Sequence, residues 1–265
     1  MCRWAAYRGT PLYLEDIVTA PSHSLMAQSH GATHGITPTN GDGFGLAWYG
    51  ERREPGLYRD ILPAWSDCNL KSMARQIRSG LFLAHVRAST TGATNRDNCH
   101  PFVHDRWSFM HNGQVGEFTR LERRLEGHLN NRLYNHRSGT TDSELLFLLA
   151  VQMGLASDPR GAMSAMIDLV AAEAAAVGIH PQIRFTCAFS DGETLYAIRY
   201  ATDGHAPSLF AHHSAEGGSR LVSEPLDDDG DAWQPIAPCS FVVASDQGLS
   251  VRRFDPLASD IAQAV

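Results

Sequence analysis

The order of the periodic segments sets the tightest limit on what this chain can fold into. GFGLAWY (43–49) and LFLAHVR (81–87) are short apolar runs bounded by turn formers, which predicts buried strands. WSFMHNG (107–113) reads as a third strand ending in a Gly turn. Helical patterns follow. Residues 117–129 carry helical charge and Leu spacing, residues 142–155 (DSELLFLLAVQMGL) predict a buried helix with Thr141 or Thr140 as its N-cap, and 160–177 predicts another, rich in Ala and Met. From 183 the pattern returns to strands. IRFTCAFS, Asp191-Gly192 and TLYAIRY form a hairpin signature, and SLFAHH, SRLVSE, SFVVAS and LSVRRF follow. Strands, then helices, then strands excludes regular βαβ winding and favours a layered α+β domain. Gly and His crowd residues 30–45, which predicts a long ordered loop. EPLDDDGD (224–231) is open between a solvated loop and a structured motif.

Composition narrows the function classes. An apolar share of 43% with 19% charged residues excludes disorder over these 265 residues. The chain is expected to form a single domain over 1–265. Its net charge of −7 argues against a nucleic-acid partner. The longest clean apolar run, Leu145 to Val151, is far short of the roughly 18 residues a membrane span needs. MCRWAAYRGTPLYLEDIV lacks the apolar core of a secretory signal. The five cysteines, at 2, 68, 99, 187 and 239, contain no C-x-x-C and suit neither a disulfide framework nor a zinc ribbon, so a reduced cytoplasm is the expected home.

Four segments carry chemistry. Cys2 follows an initiator Met and is small enough to permit Met removal. A mature chain beginning at Cys2 would hold a thiol and a free α-amine on one residue. That amine, with a reference pKa of about 7.7–8, can take the thiol proton near neutrality. The plainer alternative is an accident of position. In AHVRASTTG (84–92), Arg87 at a strand end presents a fork suited to a carboxylate, or serves a structural ion pair. In HNGQV (111–115), the Asn112 side chain and the Gly113 N–H can point at one oxygen as an oxyanion hole, or make a plain turn. In SGTTDSE (138–144), Asp142 at a helix start can meet a substrate ammonium or simply cap the helix. Together these roles describe hydrolysis of an amide on the side chain of a free amino acid.

The order Cys2, AHVRASTTG, CHPF (99–102), HNGQV and TTDSE resembles the class II glutamine amidotransferases, which have the N-terminal-nucleophile hydrolase fold. GDGFGLAWYG (41–50), PSHSLMAQSHGATHG (21–35) and SEPLDD (223–228) with Trp233 resemble segments of the stand-alone members. The resemblance covers nearly the whole chain. It implies a four-layer αββα sandwich of two antiparallel sheets, and a reaction that needs no cofactor and no metal. Cys2 would attack the γ-carboxamide of glutamine or a γ-glutamyl compound and form a γ-glutamyl thioester. Asn112 and Gly113 would hold the oxyanion, Arg87 the α-carboxylate and Asp142 the α-ammonium, with Thr90 a hydroxyl near the substrate. Ala88 and Thr91 stand where the hexosamine-forming members have Trp and His, which implies differently shaped pocket loops. No synthase domain follows within the 265 residues. The resemblance therefore implies either hydrolysis of a small γ-glutamyl substrate, as in ergothioneine biosynthesis and glutathione breakdown, or a glutaminase subunit that supplies ammonia to a separate synthase. A catalytically silent γ-glutamyl-binding protein is the alternative of another class.

Other motifs carry less. His30 and His34 are at i,i+4, but the intervening glycine and the flanking Gly35 disfavour a helix there, and no H-E-x-x-H occurs among the thirteen histidines, which are expected to be solvated or hydrogen-bonded. GDGFG (41–45) lacks the Lys-Ser/Thr of a phosphate loop, and no G-x-S-x-G elbow is present.

Overall fold

The computed structural model describes residues 2–33, 39–89, 94–214 and 218–256. One sheet is built from β1 (Arg3–Tyr13), β2 (Phe44–Trp48), β3 (Gly56–Asp60), β4 (Arg78–Val86), β9 (Phe210–His213), β10 (Ser219–Val222) and β11 (Gln234–Pro235), in the order β11-β9-β10-β1-β4-β2-β3. The other holds β5 (Phe102–His104), β6 (Trp107–Val115), β7 (Ile183–Ser190), β8 (Leu195–Ala201), β12 (Ser240–Ser245) and β13 (Gly248–Arg253), in the order β13-β12-β8-β7-β6-β5. Neighbouring strands run antiparallel, as in the β1–β4 and β6–β7 pairs. The helices are α1 (Glu15–Val18), α2 (Leu25–His30), α3 (Cys68–Gln76), α4 (Phe118–Glu126), α5 (Asn131–His136), α6 (Asp142–Gln152) and α7 (Pro159–Ala175).

Three separate buried clusters reveal the layers. One joins α4, α6 and α7 to the face of the second sheet through Phe109, Phe147, Met166 and Phe185. Another joins α1–α3 to the first sheet through Ala5, Ile17, Leu25, Leu70 and Phe82. The third, with Trp4, Ala6, Leu83, Met110, Ala188 and Val242, lies between the sheets. This is the expected αββα sandwich. Strand alternation decides which side each residue faces. Along β1, Trp4 and Ala6 enter the inter-sheet layer, while Ala5 and Tyr7 face the helices. Along β6, Met110 faces the other sheet and Phe109 faces the helices.

The expected helices and the strands from 183 onward are present, with small boundary shifts. α6 is buried from Ser143 to Ala150 because it is covered by the sheet, α4 and α7, so its sequence is apolar all round rather than amphipathic. The Thr141 hydroxyl caps it, accepting from the Glu144 N–H at 3.2 Å.

One expectation needs correction, and two others are refined. β6 does not end in a Gly turn: Gly113 pairs with Phe185 inside the strand, which continues to Val115. A Cβ at 113 would stand 1.9 Å from the Arg184 carbonyl oxygen, so a close backbone approach requires this glycine. The expected loop at 30–45 is narrower, with 31–33 and 39–43 in neither helix nor strand. His30 ends α2 and Phe44 begins β2, while 34–38 fall outside the described residues. The 224–231 stretch divides, with Glu224 and Leu226 buried and 227–231 exposed.

Candidate active site

Sheet register brings the first pair of site residues together. Arg3 pairs with Val86, so Cys2 and Arg87 lie just beyond the last β1–β4 rung. The half-buried Cys2 thiol donates to the Ala88 carbonyl at 3.6 Å. Burial pushes this thiol's pKa up, opposed by that hydrogen bond and by the Arg87 and Arg3 charges. Arg87 is only 4% exposed. Its backbone exchanges hydrogen bonds with the 42–43 segment, its N–H donating to the Gly43 carbonyl at 2.8 Å and its carbonyl accepting from Asp42 N at 3.0 Å. Its guanidinium donates to the Asp42 carbonyl at 3.4 Å and the Ser89 hydroxyl at 3.1 Å. The Asp42 carboxylate instead accepts from the Ser89 N–H at 2.7 Å. Among the described residues no carboxylate forms an ion pair with Arg87.

The second group sits where β6 meets α6. Asn112 is 1% exposed, and neither its side-chain oxygen nor its nitrogen has a hydrogen-bond partner among the described residues. Asp142 opens α6 and is tied back to β6, one carboxylate oxygen accepting from Val115 N at 2.9 Å and the other from Ser143 N at 2.7 Å. The Ser143 hydroxyl lies between that carboxylate, at 3.1 Å, and His111 Nδ1, at 2.9 Å. Burial lowers the His111 pKa and Asp142 opposes the shift. Asp142 is therefore a first-turn carboxylate fixed to the Asn112–Gly113 strand, and Thr141 holds the capping role. Thr90 lies outside the described residues.

A pair of histidines links the two groups. His85 pairs with Trp4 across β4–β1 and stacks on His100 with ring centroids 4.2 Å apart. Both rings are buried, and none of their four nitrogens finds a partner at hydrogen-bond geometry among the described residues. Burial holds His85 at about 3, although the nearby His111 backbone opposes the shift. His100 is pushed well down for the same reason, with His85 and Arg87 adding to it. Sequence reasoning expected the histidines to be solvated or hydrogen-bonded and assigned these two no role. Strand alternation in AHVR could have placed His85 on the face that Arg87 continues.

The solved structures that this architecture resembles define its class. It shares its fold with the glutamine phosphoribosylpyrophosphate amidotransferase from B. subtilis, at a TM-score of 0.67 and 14% identity over 96% of this chain and 49% of that one. Such an architecture is the N-terminal-nucleophile fold of the amidotransferases. The structure of a glutamine aminotransferase class-II domain protein from Silicibacter pomeroyi matches at a TM-score of 0.76 and 41% identity, covering 96% of this chain and 100% of that one.

The family model for class-II glutamine amidotransferases matches residues 15–206, and the chain belongs to that family. Among curated relatives, "Probable glutamine amidotransferase DUG3" of Saccharomyces cerevisiae is 34% identical over 253 residues, covering 85% of this chain and 70% of the relative. The γ-glutamyl-hercynylcysteine sulfoxide hydrolase of Mycolicibacterium smegmatis is 30% identical over 241 residues, covering 89% of this chain and 92% of the relative. The protein is an enzyme of this class.

Proposed function

We propose that this chain is a single type-2 glutamine amidotransferase domain that hydrolyses glutamine or a γ-glutamyl conjugate through a Cys2 thioester. Removal of Met1 frees the Cys2 α-amine. The thiol sulfur attacks the γ-carbonyl carbon, forming the S–C bond as its proton passes to that amine. Burial favours the protonated thiol, so attack needs a base, the role this reading gives to the α-amine. The tetrahedral oxyanion takes hydrogen bonds from the Asn112 side-chain amide and the Gly113 N–H. The new α-ammonium returns the proton to the departing nitrogen, the C–N bond breaks, and water then attacks the thioester to release glutamate. Arg87 holds the substrate α-carboxylate, Asp142 its α-ammonium, and Thr90 serves as a nearby hydroxyl.

Arg87 carries this reading. A buried guanidinium without an anion is costly, and one beside a thiol is suited to a substrate that brings a carboxylate with it. The Mycolicibacterium relative, a hydrolase matched over 92% of its length, supports a small γ-glutamyl conjugate as the substrate.

Cys2→Ala is expected to abolish glutamate release while leaving the thermal midpoint near that of the parent. Intact mass spectrometry is expected to show loss of Met1 and one adduct with a glutamine-like diazoketone. Turnover by Cys2→Ala would end the proposal.

A further inference from the structure

The geometry points to Arg3 and Glu224 as a positioning pair that fixes the backbone of Cys2 from behind, an inference that rests on the reading of Cys2 as nucleophile. Arg3 is fully buried and belongs to the β1 face that packs on α1–α3, opposite the face that carries Trp4 into the inter-sheet layer. It therefore stands behind the strand. Its Nε bonds the Glu224 carboxylate at 2.5 Å and its Nη1 donates to the Cys2 carbonyl at 2.8 Å. Glu224 is 3% exposed, and its second oxygen accepts from Thr33 N at 3.0 Å and Thr33 Oγ1 at 2.9 Å. The preceding Ser223 is bound to Trp4 in both directions, its hydroxyl accepting from Trp4 N at 3.1 Å and its N–H donating to Trp4 O at 3.0 Å. The carbonyl of the nucleophilic residue, the strand after it and the segment after α2 thus converge on one carboxylate.

Fold stability does not explain this arrangement. A buried ion pair is costly to desolvate, and apolar side chains of similar volume commonly replace one without loss. A planar fork with one arm on Glu224 and another on the Cys2 carbonyl instead restricts the rotation of the Cys2 Cα. That rotation sets the direction of both the thiol and the α-amine.

The test compares two electrophiles at Cys2, followed by peptide mass spectrometry. The glutamine-like diazoketone reacts only when thiol and pocket are aligned, whereas iodoacetamide needs only an accessible thiol. In the double variant Arg3→Met/Glu224→Leu, labelling by the diazoketone is expected to slow roughly ten- to a hundredfold, the size of effect a displaced reacting group produces. Labelling by iodoacetamide stays within about threefold if only alignment is lost. Arg3→Lys keeps the charge beside Glu224 but has no second arm for the Cys2 carbonyl, and is expected to show the same split. Equal slowing by both reagents, no slowing, or failure of both variants to fold would assign the pair a purely structural role and overturn the inference. A parent protein that the diazoketone does not label would overturn the nucleophile assignment itself.

Discussion

The two ends of the inter-sheet layer treat buried polar atoms in opposite ways. At the end away from Cys2, the Tyr49 hydroxyl meets the Arg106 carbonyl at 2.8 Å, the Ser108 hydroxyl at 2.9 Å and the Ser190 carbonyl at 2.9 Å. Tyr49 is 7% exposed, and burial pushes its phenol pKa up. At the Cys2 end, Asn112, His85, His100 and the Trp4 indole N–H are equally buried yet lack partners among the described residues. One end spends its polar groups on holding the sheets together. The other leaves them available, and a molecule that gives up internal hydrogen bonds in one place does so most reasonably where a substrate will supply them.

The largest expected effect comes from Asn112→Leu, which removes the proposed oxyanion donor and an unsatisfied amide together. Turnover should fall roughly a hundred- to a thousandfold. Urea unfolding should show stability unchanged or raised by about 1 kcal/mol, because the cost of the orphaned amide is gone. A large loss of stability would break the contrast between the ends.

Tyr49→Phe probes the satisfied end and should do the reverse. Losing the hydroxyl strands buried carbonyls and should cost about 1–3 kcal/mol in the same unfolding measurement. Its kcat/KM should stay within about twofold, since the ring lies well away from the chemistry.

A further expected effect is in the pH dependence of stability. The folded state holds His85 at about 3 against an ordinary 6.5. Between those values the unfolded chain binds the extra proton. The stability associated with the neutral ring is therefore full above pH 6.5 and is lost as pH falls toward 3, by up to about 1.4 kcal/mol per pH unit. His85→Asn should flatten the acid limb of a stability–pH curve by that slope. An unchanged limb would mean that the ring is solvated at low pH without unfolding.

Local signals account for what was legible in the sequence. Arg87, Asn112-Gly113 and Asp142 sit in short runs whose residue types suit particular chemical roles, and the helices of 118–175 and the strands after 183 follow from periodicity. What escaped depends on distant partners. β1 was not predicted because it is bonded on both sides, by β4 and β10, and buried on both faces from Arg3 to Tyr7, so no polar alternation marks it. Helix α1 has only four residues, too few for a period to show. Glu224 stands in an acidic run that the sequence leaves open between a solvated loop and a structured motif, and its partner Arg3, 221 residues earlier, decides its part of it. His85 and His100 were passed over because an imidazole gives no hint in sequence of whether anything will bond to it.

The position of β1 between β4 and β10 has a consequence for how the enzyme comes into being. Its strand is made long before residues 219–222, which complete one of its two hydrogen-bonding edges, and the carboxylate behind Cys2 comes two residues after those. On the proposed reading of Cys2 as nucleophile, a growing chain therefore carries that sulfur, until Glu224 is made, without the surroundings that would align it. Long-range pairing of this kind is slow to form. On that reading the delay works as a safeguard, since competence at Cys2 requires that the chain through Glu224 has already been threaded into place.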